Sequence, residues 1–256
     1  MKKKIGVAGL MAILVMGATA PAALAQCGGQ LLMKFDADCF AFESNATLSV
    51  LEGGTGAWKS NAGSQLTVVG LMTLFCAPLN VNVPNLPVTE YSFVWSGMAA
   101  TAATSEAVYV VNGKKWDTDY SNGSFFIYED SPADAPRATT PMPINPPNAT
   151  VPVNFADGTL ILSGSLAGLH TTVTRTNNTA SAIWGGSFGA SYQFTGGTQF
   201  GLVAGSGVNS VNGNWCGKYP SGCTPTGYTA HPNGNWDFGV TPVKSSTWGA
   251  IKQLYR

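Results

Sequence analysis

The carboxylates that could hold a metal ion lie in two short segments. Segment 117–123 begins like a calcium-binding loop, with Asp117 and Asp119 at the first and third positions and Ser121 at the fifth. It then departs from that pattern, because glycine comes one position late and the twelfth residue is Tyr128. A hairpin turn at the end of the segment explains the same residues.

The second acidic group is formed by Glu129, Asp130 and Asp134. Paired carboxylates can hydrolyse glycosides, one as the acid and one as the base or nucleophile. Glu129 and Asp130 are sequence neighbours at the end of a predicted strand, so they point to opposite faces and are poorly placed for that role. We predict that this group forms a solvated acidic loop and that it contains no catalytic residue. Calcium is the candidate metal ion, with Asp117, Asp119 and this group as its ligands.

A serine motif and the histidines give little support to hydrolysis. Residues 185–189 match G-x-S-x-G, in which a strand-to-helix turn exposes the nucleophile Ser187. The next residues continue as a strand, and the only histidines, His170 and His231, have no metal-ligand spacing.

Aromatic side chains could form a flat surface on which a sugar ring stacks. Trp215, Tyr219, Tyr228 and Trp236 cluster around the predicted Cys216–Cys223 loop, and we predict that these four are exposed and bind ligand. The alternative is that most tryptophans fill the core. The four letters Asn-Gly-Asn-Trp occur at 212–215 and again at 233–236, which we interpret as two independent turns.

The N-terminus predicts export and with it an oxidising compartment. Residues 1–25 combine three lysines, an apolar run and a small-residue cut site, which is typical of a bacterial signal peptide, so the mature chain is predicted to begin at Gln26. A lipid anchor on Cys27 is the alternative. Five cysteines then predict disulfides, with Cys216–Cys223 as the favoured pair, and Cys27–Cys39 or Cys39–Cys76 left open.

Composition limits the partners. Removing residues 1–25 leaves 10 basic and 13 acidic residues, hence a formal charge of −3, and no basic run. We therefore predict neither nucleic acid nor an anionic bilayer as a partner, and no transmembrane segment in the mature chain. A glycan or an envelope protein is the expected partner.

Period-two alternation between turn residues predicts an all-β fold. We expect an antiparallel β-sandwich of jelly-roll or immunoglobulin-like type over 26–240. Asn112-Gly113 predicts a tight type I′ hairpin. The predicted strands cover residues 47–51, 65–75, 90–96, 107–111, 115–120, 124–129, 159–164, 171–176, 187–194, 199–204 and 236–240.

Two segments depart from the strand pattern. Residues 131–152 carry seven prolines and predict a long loop inside one domain, with a domain boundary as the alternative. Residues 241–256 predict a tail or a short capped helix.

Together these features predict an exported, non-enzymatic envelope or extracellular protein, structural or adhesive in role, which is secreted or periplasmic. A secreted carbohydrate-active hydrolase is the alternative, and it would need two carboxylates that converge in a cleft.

Overall fold

The computed structural model describes residues 27, 30–50, 55–79, 88–131, 153–179, 181–219, 223–224 and 227–238. The Pro-rich segment, apart from Ser131, and the segments 1–25 and 241–256 lie outside these ranges, as does Asp134. Thirteen strands are described: β1 Leu31–Glu43, β2 Thr47–Val50, β3 Gly56–Lys59, β4 Gln65–Phe75, β5 Glu90–Ala99, β6 Ser105–Val108, β7 Lys114–Asp119, β8 Gly123–Asp130, β9 Thr159–Arg175, β10 Trp184–Gly196, β11 Asn209–Cys216, β12 Lys218–Tyr219 and β13 His231–Asp237.

The all-β prediction is confirmed, but the sheet closes into a barrel where two stacked sheets were expected. Eight strands follow the order β10, β11, β13, β1, β4, β5, β8 and β9, and β9 pairs again with β10, all antiparallel. Because the ring has no open edge at this point, a closed barrel describes it better than the two separate layers of a sandwich.

Strand β9 makes the closure possible. Its first half pairs with β8, its second half pairs on the same edge with β7, and β10 lies along the other edge. The sequence pattern predicted two separate strands here, at 159–164 and 171–176. The structure joins them through Gly168, whose φ of +63° suits the register shift at this point.

Smaller elements extend the closed sheet. Strand β6 pairs with β7 beyond the ring, and β2, β3 and β12 form a second sheet. Two short helices are described, a 3₁₀ turn at Val153–Phe155 and α1 at Phe200–Val203, so the predicted strand at 199–204 is wrong. Within the described ranges, no helix has the length and apolar character that a membrane crossing requires.

The predicted hairpin at Asn112-Gly113 forms with a longer connection. Val108 pairs with Lys114, so five residues link β6 and β7 where two were expected. Only Asn112 takes a positive φ, 63°, and the Gly113 N–H donates to the Val110 carbonyl at 2.8 Å. A type I′ turn needs two such residues, which explains the difference.

Aromatic rings fill the inside of the closed sheet. Trp95, Trp236 and Phe125 are fully buried, and their rings meet edge to face with centroids 4.8 to 5.7 Å apart. Such pairs add about 0.5–1.5 kcal/mol each beyond area burial, more than a typical surface ion pair. A second cluster around Phe40 and Tyr228 covers the outer side of β1, β4 and β5.

Two glycines on β10 offer a test of how tightly this sheet packs. A Cβ on Gly186 would overlap the carbonyl oxygen of Trp215, whereas a Cβ on Gly189 would meet nothing within 4 Å. We expect Gly186→Ala to lower the free energy of unfolding by about 1–3 kcal/mol. Gly189→Ala should stay within about 0.5 kcal/mol of wild type in the same urea titration. Equal effects of the two substitutions would contradict the described packing.

Candidate functional site

The predicted metal ligands fall into two separate groups. Asp117 and Asp119 lie on β7, where Asp119 pairs with His170 of β9. Glu129 and Asp130 lie at the end of β8, where Glu129 pairs with Thr159. The two partners, Thr159 and His170, are eleven positions apart on β9, which at about 3.3 Å per residue is about 36 Å along the strand. Within the described part of the chain, no group of three or more His, Cys, Asp or Glu residues could hold a metal ion.

The prediction of exposure is wrong for three of the four aromatic residues. Trp215, Tyr228 and Trp236 are 5%, 1% and 0% exposed. Trp215 and Trp236 occupy inward positions of β11 and β13, and Tyr228 packs against Phe40 in the second cluster. The side chain of Tyr219 lies outside the described residues. Proximity to turns misled the prediction, because the side of the strand decides burial.

The serine motif lies inside a strand. Residues 185–189 belong to β10, and Ser187 is exposed between Thr172 of β9 and Asn214 of β11. A nucleophile elbow requires a strand-to-helix turn, so this extended geometry does not support hydrolysis by Ser187.

Two disulfides are present. Cys216 bonds with Cys223, which is the favoured pair from the sequence. Cys27 bonds with Cys76, a pairing that the two open alternatives did not include, and buried Cys39 belongs to neither disulfide. Both bonds are compatible with an oxidising compartment.

The repeated Asn-Gly-Asn letters form one cross-strand unit. Asn212 pairs with Asn235, Gly213 with Gly234, and Asn214 with Asn233, so both copies lie inside strands and the interpretation as turns is wrong. A Cβ on Gly213 would overlap the Asn233 carbonyl oxygen, which explains the glycine between the two asparagines. The asparagine side chains project outward, and the Asn214 amide nitrogen donates to the Asn233 side-chain oxygen at 3.2 Å.

This unit belongs to a larger outer surface, which we call the polar face. Strand pairing aligns two lateral rows across β7, β9, β10, β11 and β13, and none of their residues is buried. Neighbouring strands lie about 4.8 Å apart and the rows about 6.7 Å apart, so each row extends about 19 Å. The first row is Asp117, Thr172, Ser187, Asn214 and Asn233, and the second is Asp119, His170, Gly189, Asn212 and Asn235.

At one edge of the polar face, His170 lies between two carboxylates. Its Nδ1 is 2.7 Å from Asp119 Oδ1, and its Nε2 is 3.4 Å from Asp117 Oδ1. The Thr172 hydroxyl is 3.2 Å from Nε2 but donates to Asp117 at 2.6 Å, so its proton points away from the histidine. The contacts resemble a nucleophile–base–acid series, yet the threonine proton is not directed toward the base.

A buried carboxylate, Glu43, lies at one end of the closed sheet together with two hydroxyl groups. Glu43 is 6% exposed, and its Oε2 accepts hydrogen bonds from Ser60 at 2.8 Å and Tyr120 at 3.0 Å. The other oxygen, Oε1, has no hydrogen-bond partner among the described residues. A cavity of about 20 Å³ adjoins these groups and has room for about one water molecule. Burial raises the pKa of Glu43 to about 7, although the two hydrogen bonds oppose the shift.

Comparison with protein-family models, with curated proteins and with solved structures finds no match for this chain. We therefore infer the function from the geometry of the described residues.

The raised pKa of Glu43 predicts a pH-dependent stability. Unfolding returns the pKa from about 7 to about 4.5, so the stabilisation of the protonated form is full below pH 4.5 and is lost as the pH rises to about 7. We expect the free energy of unfolding of Glu43→Gln to be close to that of wild type at pH 5. At pH 8 the variant should be more stable than wild type by on the order of 3 kcal/mol. Urea unfolding at both pH values measures this difference.

Glu106 supplies a control of opposite sign. Hydrogen bonds from Lys114 and Lys59 lower the pKa of its carboxyl to about 2, so its contribution is present above about pH 4.5 and is lost as the pH falls toward 2. Glu106→Gln should therefore be less stable than wild type at pH 7, by at most about 1 kcal/mol because the group is partly exposed. A parallel pH response of both variants would contradict the assignment of the buried carboxyl.

Proposed function

We propose that the protein is exported and binds a glycan, without catalysis, through the polar face. The observation that carries the proposal is the in-register pairing of Asn212 with Asn235 and Asn214 with Asn233, beside outward Ser187. These side chains are uncharged and exposed or half-buried on an open surface.

The chemistry of these side chains fits a polyhydroxyl ligand. Each sugar hydroxyl is both a donor and an acceptor, and each asparagine amide offers both functions on a short side chain. The strand pairing fixes the amides in position, so little ordering is required when a ligand binds. Gly189 has no side chain, and nothing lies within 4 Å of the position that a Cβ would take, so a ligand has room to approach the backbone there.

The hydrolase alternative has weaker support. A glycosidase needs two carboxylates with the scissile bond between them. Asp117 and Asp119 are the acidic pair of the polar face, but the ring of His170 occupies the space between them. Adhesion or a structural role in the envelope therefore accounts better for this surface.

Export is supported by the N-terminal pattern together with the two disulfides. The Cys27–Cys76 bond closes a loop with a sequence separation of 49 residues. By chain entropy, such a bond stabilises the folded protein by about 4 kcal/mol. The protein would lose this stabilisation in a reducing compartment, where the bond would be reduced.

Glycan binding can be measured with the full chain on an array of immobilised glycans, with and without calcium. We expect saturable binding to at least one glycan class. Asn214→Ala and Asn233→Ala should each weaken it about fivefold, because each removes a hydrogen bond worth about 1 kcal/mol.

The matched control is Gln193→Ala, which removes an exposed amide from β10, a strand that contributes to the polar face, at a position outside both rows. It should change binding less than about twofold, since surface positions away from a site are near neutral. Absence of any bound glycan, or an equal loss in all three variants, would refute the proposal.

The N-terminus provides a separate test of export. We expect intact-mass measurement of protein recovered outside the cytoplasm to show a chain that begins at Gln26, because Ala23 and Ala25 fit the cut site. A lipid-modified Cys27 would add the mass of the acyl chains. Intact Met1 on protein from the cell interior would contradict export.

A further inference from the structure

The basic residues that the structure describes concentrate in one region, although the chain as a whole carries no excess of positive charge. Six lysine and arginine residues fall in the described part of the chain, and four of them lie together around Glu106 and Trp184. We call this group the basic end. Its members are Lys59, Lys114, Arg175 and Lys218.

One carboxylate connects two members of the basic end. Glu106 accepts a hydrogen bond from Lys59 at 2.7 Å, another from Lys114, and a third from the Trp116 indole at 2.9 Å. Three of its roughly four acceptor sites are therefore in use. Counting only the described residues of this group, one negative charge against four positive charges leaves a local excess of three.

The other two members lie against a tryptophan. The Arg175 guanidinium carbon is 5.8 Å, and the Lys218 Nζ 6.0 Å, from the centre of the Trp184 ring, which stacks on Trp116. Neither cation forms an ion pair with a carboxylate in the part of the chain that the structure describes. Cation–π contact offsets only part of the cost of bringing two like charges together.

Arg175 is the more unusual of the pair, because a buried charge normally has a counter-ion. It is 3% exposed, its Nη2 donates to the Asn178 side-chain oxygen, and its Nε has no hydrogen-bond partner among the described residues. Asn178 in turn lines an open groove of about 420 Å³, together with Glu106, Lys114 and the β6–β7 hairpin. The guanidinium is thus one hydrogen bond from a groove large enough for a sugar unit.

We propose that the basic end binds the anionic group of an acidic polysaccharide, a polymer that carries carboxylates on some of its sugars. This inference rests on the proposed function and specifies its ligand class. Arg175 and Trp184 lie three lateral rows, about 10 Å, beyond Thr172 and Ser187 of the polar face, and their side chains face the other side of the same two strands. A ligand that passes over the ends of these strands would place its hydroxyls on the polar face and an acidic group at the basic end.

The surroundings favour such a polymer over a nucleic acid or a lipid surface. Asp119 is exposed on the polar face. Asp117 lies beside it and forms an ion pair with Lys115. A phosphate on every unit would meet these carboxylates and be repelled, whereas a polysaccharide can present neutral hydroxyls there.

Polygalacturonate and its fully methyl-esterified form give a matched pair of probes, because esterification removes the charge and keeps the sugar chain. We expect the full chain to bind polygalacturonate at least about tenfold more tightly, with an advantage that shrinks between 50 mM and 500 mM salt. Lys218→Gln should weaken polygalacturonate binding about fivefold, and Glu106→Gln should strengthen it. Calorimetry measures all four affinities.

Lys34→Gln, on β1 outside the basic end, is the control and should change the affinity less than about twofold. Equal binding of both probes would overturn the acidic-ligand inference and leave the glycan proposal standing. Binding of neither probe, with a neutral glycan bound on the array, would do the same. Tighter binding to single-stranded DNA or to phosphatidylglycerol vesicles than to polygalacturonate would also overturn it.

Discussion

The pairing of β9 with β10 is the constraint on which the other features depend. It turns an extended sheet into a ring, so each strand has one side that faces an enclosed aromatic core. The same pairing fixes which side chains stand opposite one another on the outside. Thr172 lies beside Ser187, and Ser187 beside Asn214, because the ring sets the register. The polar face is therefore a product of closure as much as of composition.

The sequence predicted several strands well, missed β1 and β11, and predicted the arrangement poorly. Alternation located β4 at 65–75 and most of β5, β7 and β8, since a period of two is a local signal. The ring also needs the pairing of β1 with β13, about two hundred residues apart in the chain, and no local pattern encodes that contact. The same limit applies to the Cys27–Cys76 bond, which joins residues brought together by the fold.

The candidate site was hidden for two physical reasons. Trp215 and Trp236 drew attention as large aromatics, but inward strand positions bury them, and their asparagine neighbours face the solvent instead. The Asn-Gly-Asn repeat was the one signal that could have located the face, had it been interpreted as a strand pair. The sequence did not predict the basic end, because its four cations are scattered between positions 59 and 218 and form no charged run.

The Asn-Gly-Asn pair has a consequence for how β11 and β13 find their alignment. The three letters are the same in both directions, so a slip of two residues would still set one asparagine against another. The outer ladder thus carries little information about its own alignment. That information resides in the flanking pairs, Val211 with Trp236 and Trp215 with Pro232, because a slip would shift the two indoles away from their packing partners inside the ring. The buried pairs therefore determine how the outward asparagines of β11 and β13 are aligned.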